Sequence, residues 1–182
     1  NLNVLGSLEL VDLNTLLLDV DIANGGVFNL SGEAGGPGTT QVDVASLTNA
    51  GSLISSAGTN AGLRIINGDV TNTATGSISL VDASLQINDD DGLSTSGNIT
   101  LIGGDLSLSS ISVNPGLNLI AGTINVGTRT LDLNATSIDW TTGSFTGSGN
   151  IIDVDAISST AGAKTFNGPS IDIANDVVLV AT

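Results

Sequence analysis

Cysteine, histidine, methionine and tyrosine are absent from this 182-residue chain, and each absence removes a class of chemistry. Without cysteine there are no disulfides and no thiolate metal sites, and redox compartment leaves no mark on the sequence. Without histidine the commonest general base and the commonest transition-metal ligand are gone. Cations are scarce too: Arg64, Arg129 and Lys164 stand against sixteen Asp and two Glu, Glu9 and Glu33, for a formal charge of −15. Nucleic-acid affinity depends on Lys and Arg displacing condensed counterions, so a nucleic-acid partner is not expected. No apolar run reaches the ~18 residues of a membrane-spanning helix. The longest candidate, 8–22, is broken by Asp12, Asn14, Asp19 and Asp21, so no transmembrane segment is expected. Asn1 is not an initiator and no signal-peptide pattern follows it, which reads as a mature or excised piece of a longer product.

What is present points to strands. The apolar share is 40%, yet three Phe and one Trp are the only aromatics, so the interior must be built from many small aliphatic layers. A narrow, stacked core suits that composition better than a round one. The preference for Asp over Glu, with 24 Gly and abundant Ser, Thr and Asn, favours turns over helix surfaces.

A spaced pattern recurs along the chain: an apolar pair at i and i+2, a Gly at i+5 and a further apolar residue at i+7. It reads Val20-x-Ile22-x-x-Gly25-x-Val27, Leu63-x-Ile65-x-x-Gly68-x-Val70, Ile99-x-Leu101-x-x-Gly104-x-Leu106, Leu117-x-Leu119-x-x-Gly122-x-Ile124 and Ile138-x-Trp140-x-x-Gly143-x-Phe145. Copies beginning at Ile78 and Ile171 carry Ala83 and Asp176 in place of Gly. Residues at i and i+2 share one face of a strand, and a Gly beyond them can turn a corner, so each copy predicts strand, bend, strand. Gly25, Gly68, Gly104, Gly122 and Gly143 are the expected corners. The pattern returns after 21 residues from Ile78 to Ile99, 18 to Leu117 and 21 to Ile138, and shorter apolar pairs fall between, including 111/113.

A repeat near 20 residues is the signature of a β-solenoid. The expected fold is therefore all-β, a right-handed parallel β-helix of about nine coils of roughly 20 residues with three strands each, in a single domain over 1–182. Inward columns should be aliphatic, with Asp, Asn, Ser and Thr pointing out. Residues 32–38 and 55–61 read as loops thrown outward. In 8–22, Leu10, Leu13, Leu17 and Leu18 approximate a helical stripe, but strands are the preferred reading. Both ends open on bare apolar strands, and Leu2, Val4, Val178 and Val180 are the candidate self-association positions.

The segment from Trp140 through Gly143, Phe145, Gly147 and Gly149 to Ile151, followed by Lys164-Thr165-Phe166-Asn167-Gly168, resembles the repeats of bacterial cell-surface β-solenoids. These are autotransporter passengers, filamentous-haemagglutinin-like adhesins and giant surface repeat proteins. The resemblance implies export and a place outside the cell or on its surface, and it carries no catalytic residues. A structural subunit or segment of an extracellular fibre, joining copies of itself head to tail, is the expected role. The stalk or binding region of an adhesin, with a host-surface or glycan ligand, is the alternative.

Chemistry beyond this has little to stand on. Asp89-Asp90-Asp91 is the densest acidic cluster and a weak Ca²⁺ candidate, without the spacing of an EF-hand or a calcium-binding β-roll; no other cofactor or metal is expected. Asp19/Asp21 and Asp153/Asp155 place paired carboxylates on one strand face, which alternation with Val20, Ile22 and Val154 explains as the wet side of a half-buried strand. A polysaccharide-cleaving β-helix would need an acid and a base. With no His, three cations and few aromatics for sugar stacking, an enzyme is not expected.

Overall fold

The computed structural model describes residues 2–11, 19–32, 39–59, 62–88, 93–109, 116–160, 162–175 and 177–179; among them every regular element is a strand and every ladder is parallel. The strands stack on three faces. The first face holds β1 (Leu2–Val4), β3 (Val20–Ile22), β10 (Leu93–Thr95), β13 (Leu117–Leu119) and β20 (Val177–Leu179), with the second halves of β5 (Thr40–Asn49), β7 (Arg64–Asn72), β15 (Thr130–Trp140) and β17 (Asn150–Ser159). The second face is an eight-stranded sheet: β2 (Ser7–Val11), β4 (Val27–Gly32), β6 (Ser52–Gly58), β8 (Ser77–Leu80), β11 (Asn98–Leu101), β14 (Thr123–Asn125), β16 (Gly143–Thr146) and β18 (Lys164–Asn167). The third face combines the first halves of β5, β7, β15 and β17 with β9 (Leu85–Asn88), β12 (Leu106–Ser109) and β19 (Ser170–Ile173).

The chain visits the faces in constant order, so neighbours on a face belong to successive coils. About seven complete coils of roughly 21 residues are described, fewer than the expected nine. Part of the difference is the limit of the described residues, since the third side of the first coil falls within 12–18; the rest is uneven corners, which make some coils longer than 20 residues. Register partners Val20 and Leu47 show this most clearly.

Alternation within each strand turns one side chain in and the next out. On the first face the register joins Leu2, Val20, Leu47, Val70, Leu93, Leu117, Ile138, Ile157 and Val177 in one column. On the second, Leu8, Phe28, Leu53, Ile78, Ile99, Ile124, Phe145 and Phe166 form another. From Val20 to Ile157 and from Phe28 to Phe145 these side chains are buried, giving the narrow aliphatic core that the composition requires.

Polar residues also enter the core, contrary to the expectation that they all point outward. The second inward column of the first face runs Val4, Ile22, Asn49, Asn72, Thr95, Leu119, Trp140. Asn49, Asn72 and Thr95 are buried and satisfy one another: Asn49 Nδ2 donates to Asn72 Oδ1 at 2.8 Å, and Asn72 Nδ2 to Thr95 Oγ1 at 3.0 Å. Asn49 Nδ2 also reaches the Ser77 carbonyl, and its Oδ1 accepts the Gly51 N–H. A buried amide costs little only when its partners are supplied, and here the next coil supplies them.

The repeated pattern marks corners in general and not one position in the coil. The copies at Val20, Leu117 and Ile138 pass from the first face to the second, whereas those at Ile78 and Ile99 pass from the second to the third. The 18-residue step from Ile99 to Leu117 is therefore less than a coil, and the true partner of Leu117 is Leu93. The copy at Leu63 is out of phase: Arg64 and Ile66 face inward and are buried, while Leu63 and Ile65 are half-buried on the outer side. Val27 likewise lies outside, with Phe28 in the core. Of the expected loop at 55–61, Ser55 to Gly58 belongs to β6. The segments 12–18, 33–38 and 110–115, which include Leu13, Leu17, Leu18 and the pair 111/113, lie outside the described residues.

Candidate functional site

The two ends of the stack leave strand edges unpaired among the described residues. At one end β1 pairs only with β3, and β2 only with β4. At the other, β18 pairs only with β16, and β19 and β20 only with β17. An unpaired parallel edge is a row of N–H and C=O groups ready to accept another strand. The side chains behind these edges are apolar and incompletely covered. Leu2, Leu8 and Leu10 pack half-buried on the core, as do Ile171 and Ile173 at the far end, where Phe166 and Val177 are 42% and 48% exposed.

Of the positions expected to associate, Val4 is buried in the terminal coil, Leu2 is half-buried, and Val178 lends its backbone to β20 opposite Ser158. Val180 lies outside the described residues. The sequence reading missed Leu8 and Phe166, whose signal was register: both end the same column of the second face.

The far end is also where the aromatics gather. Trp140 meets Phe145 edge-on with ring centroids 5.0 Å apart, and Phe166, the register partner of Phe145 in the next coil, lies 6.0 Å from Phe145 with the rings tilted by 53°. Lys164 Nζ donates to the carbonyls of Thr141, Thr160 and Gly162 at the adjoining corner. The phrase that resembles surface-protein repeats thus forms an aromatic cluster closed by one lysine.

Of the predicted corners, Gly25 and Gly122 hold positive φ between strands, and Gly143 holds it as the first residue of β16. Gly68 also has positive φ, but it bends β7 without interrupting it, so that one half pairs with β9 and the other with β10. Gly104 serves by closeness alone: a Cβ there would overlap the Ala83 carbonyl. Asn134, Ala135 and Asp153 do the same turning in β15 and β17 without being glycine.

The acidic candidates remain dispersed. Asp89, Asp90 and Asp91 lie outside the described residues, and no cluster of three metal-ligating side chains occurs among those described. Asp19 accepts a hydrogen bond from Ser46 Oγ at 3.0 Å, and Asp155 one from Asn175 Nδ2. The described residues contain no helix long and apolar enough to cross a membrane. No protein-family model, curated protein or solved structure matches this chain.

Proposed function

We propose that the chain is a structural β-solenoid segment of an extracellular fibre, lengthened by end-to-end stacking on further copies of itself. The observation that carries this reading is that, among the described residues, both ends of one three-faced cross-section combine unpaired parallel edges with incompletely covered apolar side chains. A strand added at either edge would gain ladder hydrogen bonds and cover Leu2 and Leu8 at one end or Phe166 and Val177 at the other. A contact between unlike ends does not close on itself, and it propagates as a filament. An extracellular place is in keeping with the surface-repeat phrase around Trp140.

Electron microscopy of the purified chain tests the reading. Uniform filaments whose axial repeat equals one protomer are expected, about 40 Å for nine strands stacked on the first face. Val177→Lys, which places a charge on an already exposed end, should reduce filament length while leaving the circular dichroism unchanged. Isolated rods at all concentrations, or a native polypeptide mass far above 18.0 kDa, would contradict self-assembly from this unit.

A further inference from the structure

We propose that a groove on the second face, centred on Glu9, binds a small molecule through a primary ammonium group. The groove has a volume of about 350 Å³ and is lined by Glu9, Val11, Ser31, Gly32, Gly58 and Thr59. That volume lies at the lower end of the ~300–1,000 Å³ range of small-ligand sites.

The groove exists because the ladder is broken there. Between β4 and β6 the register shifts after Leu30, so that Ser56 and Ala57 together oppose Ser31 before Gly32 pairs with Gly58. Such a bulge turns backbone groups away from the ladder and needs other partners for them. Arg64 supplies those partners from inside. Its side chain is fully buried, with Nε and Nη2 on the Ser56 carbonyl at 3.0 and 2.8 Å, Nη2 on Ala57 O at 2.9 Å and Nη1 on Gly62 O at 2.8 Å. A guanidinium in a core column, between Thr40 and Leu85, is far costlier than the aliphatic residue found in most other coils.

The bulge is connected to the carboxylate by hydrogen bonds. Ser56 Oγ donates to Asn29 Oδ1 at 2.9 Å, Asn29 Nδ2 donates to Glu9 Oε1 at 3.2 Å, and the buried Ser31 hydroxyl donates to the same oxygen at 2.6 Å. Glu9 is thereby held in one orientation, while its other oxygen, Oε2, has no hydrogen-bond partner among the described residues. It is the only carboxylate on the described strands of this face.

Charge selects the ligand. A chain of −15 draws cations toward it, and the oriented carboxylate gives a cation one definite place to stop. A hard divalent metal ion would need six or more oxygen ligands, whereas the groove offers a single carboxylate. An ammonium needs only a few acceptors and can rest its carbon skeleton on Val11, which is 36% exposed.

Nuclear magnetic resonance titration of the intact chain with glucosamine and ethanolamine, each against its N-acetylated form, tests this. Saturable shifts at Glu9, Gly32 and Gly58 are expected for at least one amine, with the acetylated partner at least tenfold weaker. Saturation by glucosamine alone identifies an amino sugar as the source, and saturation by both identifies any primary amine. Glu9→Gln keeps the acceptor for Asn29 and Ser31 and should weaken binding at least tenfold, while Asp172→Asn on the third face should leave it unchanged. Asn29→Ala leaves the core alone and should weaken binding severalfold, because Asn29 helps to orient the carboxylate. The proposal fails if neither amine saturates, if acetylation makes no difference, if Glu9→Gln binds as well as the parent, or if Asp172→Asn weakens binding equally. Glu9 and Val11 lie on β2, the edge at which the proposed fibre adds a strand, so the titration is made on the unassembled chain; absence of amine binding there leaves the filaments seen by electron microscopy intact, and absence of filaments leaves the titration intact, so the two readings fail separately.

Discussion

Two glycines with the same backbone angle carry different loads. Gly25 has φ +84° with open space where a Cβ would sit, and Gly122 has φ +83° with the Gly97 carbonyl of the preceding coil in that space. Substituting alanine at Gly25 should therefore cost only the left-handed penalty, about 1–2 kcal/mol. At Gly122 the clash adds to it and the total should exceed about 3 kcal/mol, read as a shift in the urea midpoint. Asn72 offers a second test, since it gives to Thr95 and receives from Asn49. Asn72→Ala should destabilise by about 1–3 kcal/mol, because it leaves neighbouring amide and hydroxyl groups unpaired in the core. Neither duty was legible in the sequence. An Asn that points inward is spelled like one that points outward, and only the register that stacks 49, 72 and 95 separates them. The pattern at Leu63 failed for the same reason: its spacing puts Leu63 and Ile65 on one face, and a shift of one residue in the structure turns Arg64 and Ile66 inward instead.

At the level of the strand, what was legible was the alternation itself. Ile99/Leu101, Leu106/Leu108, Leu117/Leu119, Ile124/Val126, Leu131/Leu133 and Ile138/Trp140 are all buried as their spacing predicts. Which face each pair belonged to was not, because the same spacing serves two different corners. Only partners such as Leu93 and Leu117 distinguish a full turn from part of one. Leu106 is stacked between Leu85 and Leu131 and fully buried, so Leu106→Ala should cost about 2–5 kcal/mol. In a stack where each coil touches only its neighbours, that loss should be local at first. Amide exchange in the variant is expected to quicken in β9, β12 and the first half of β15 before it does in β2 or β4.

For the molecule as a whole, the scarcity of cations is sharper than the count suggests. Arg64, Lys164 and Arg129 all give hydrogen bonds to backbone carbonyls, at Ser56, Thr141 and Ile102 among others, so their charge is engaged at corners. Against them stand eighteen carboxylates in the chain, and among the described ones Glu9, Asp19 and Asp155 accept hydrogen bonds only from neutral side chains, which leaves a net repulsion. Raising salt toward ~0.1 M, where the Debye length falls to about 10 Å, should screen that repulsion and raise the melting temperature. It should also promote any end-to-end association, which light scattering would follow. The all-β stacked architecture was open to reading from composition and period, since few aromatics and many turn-formers leave little else to build. The groove at Glu9 was not, because it depends on a bulge. Finally, the constant order in which the chain visits its three faces fixes how the molecule yields to force. Tension on the two ends would peel strands from the stack one after another, unwinding it like thread from a spool. Each coil of roughly 21 residues would release about 70 Å of chain, giving an extension trace of many small, nearly equal steps.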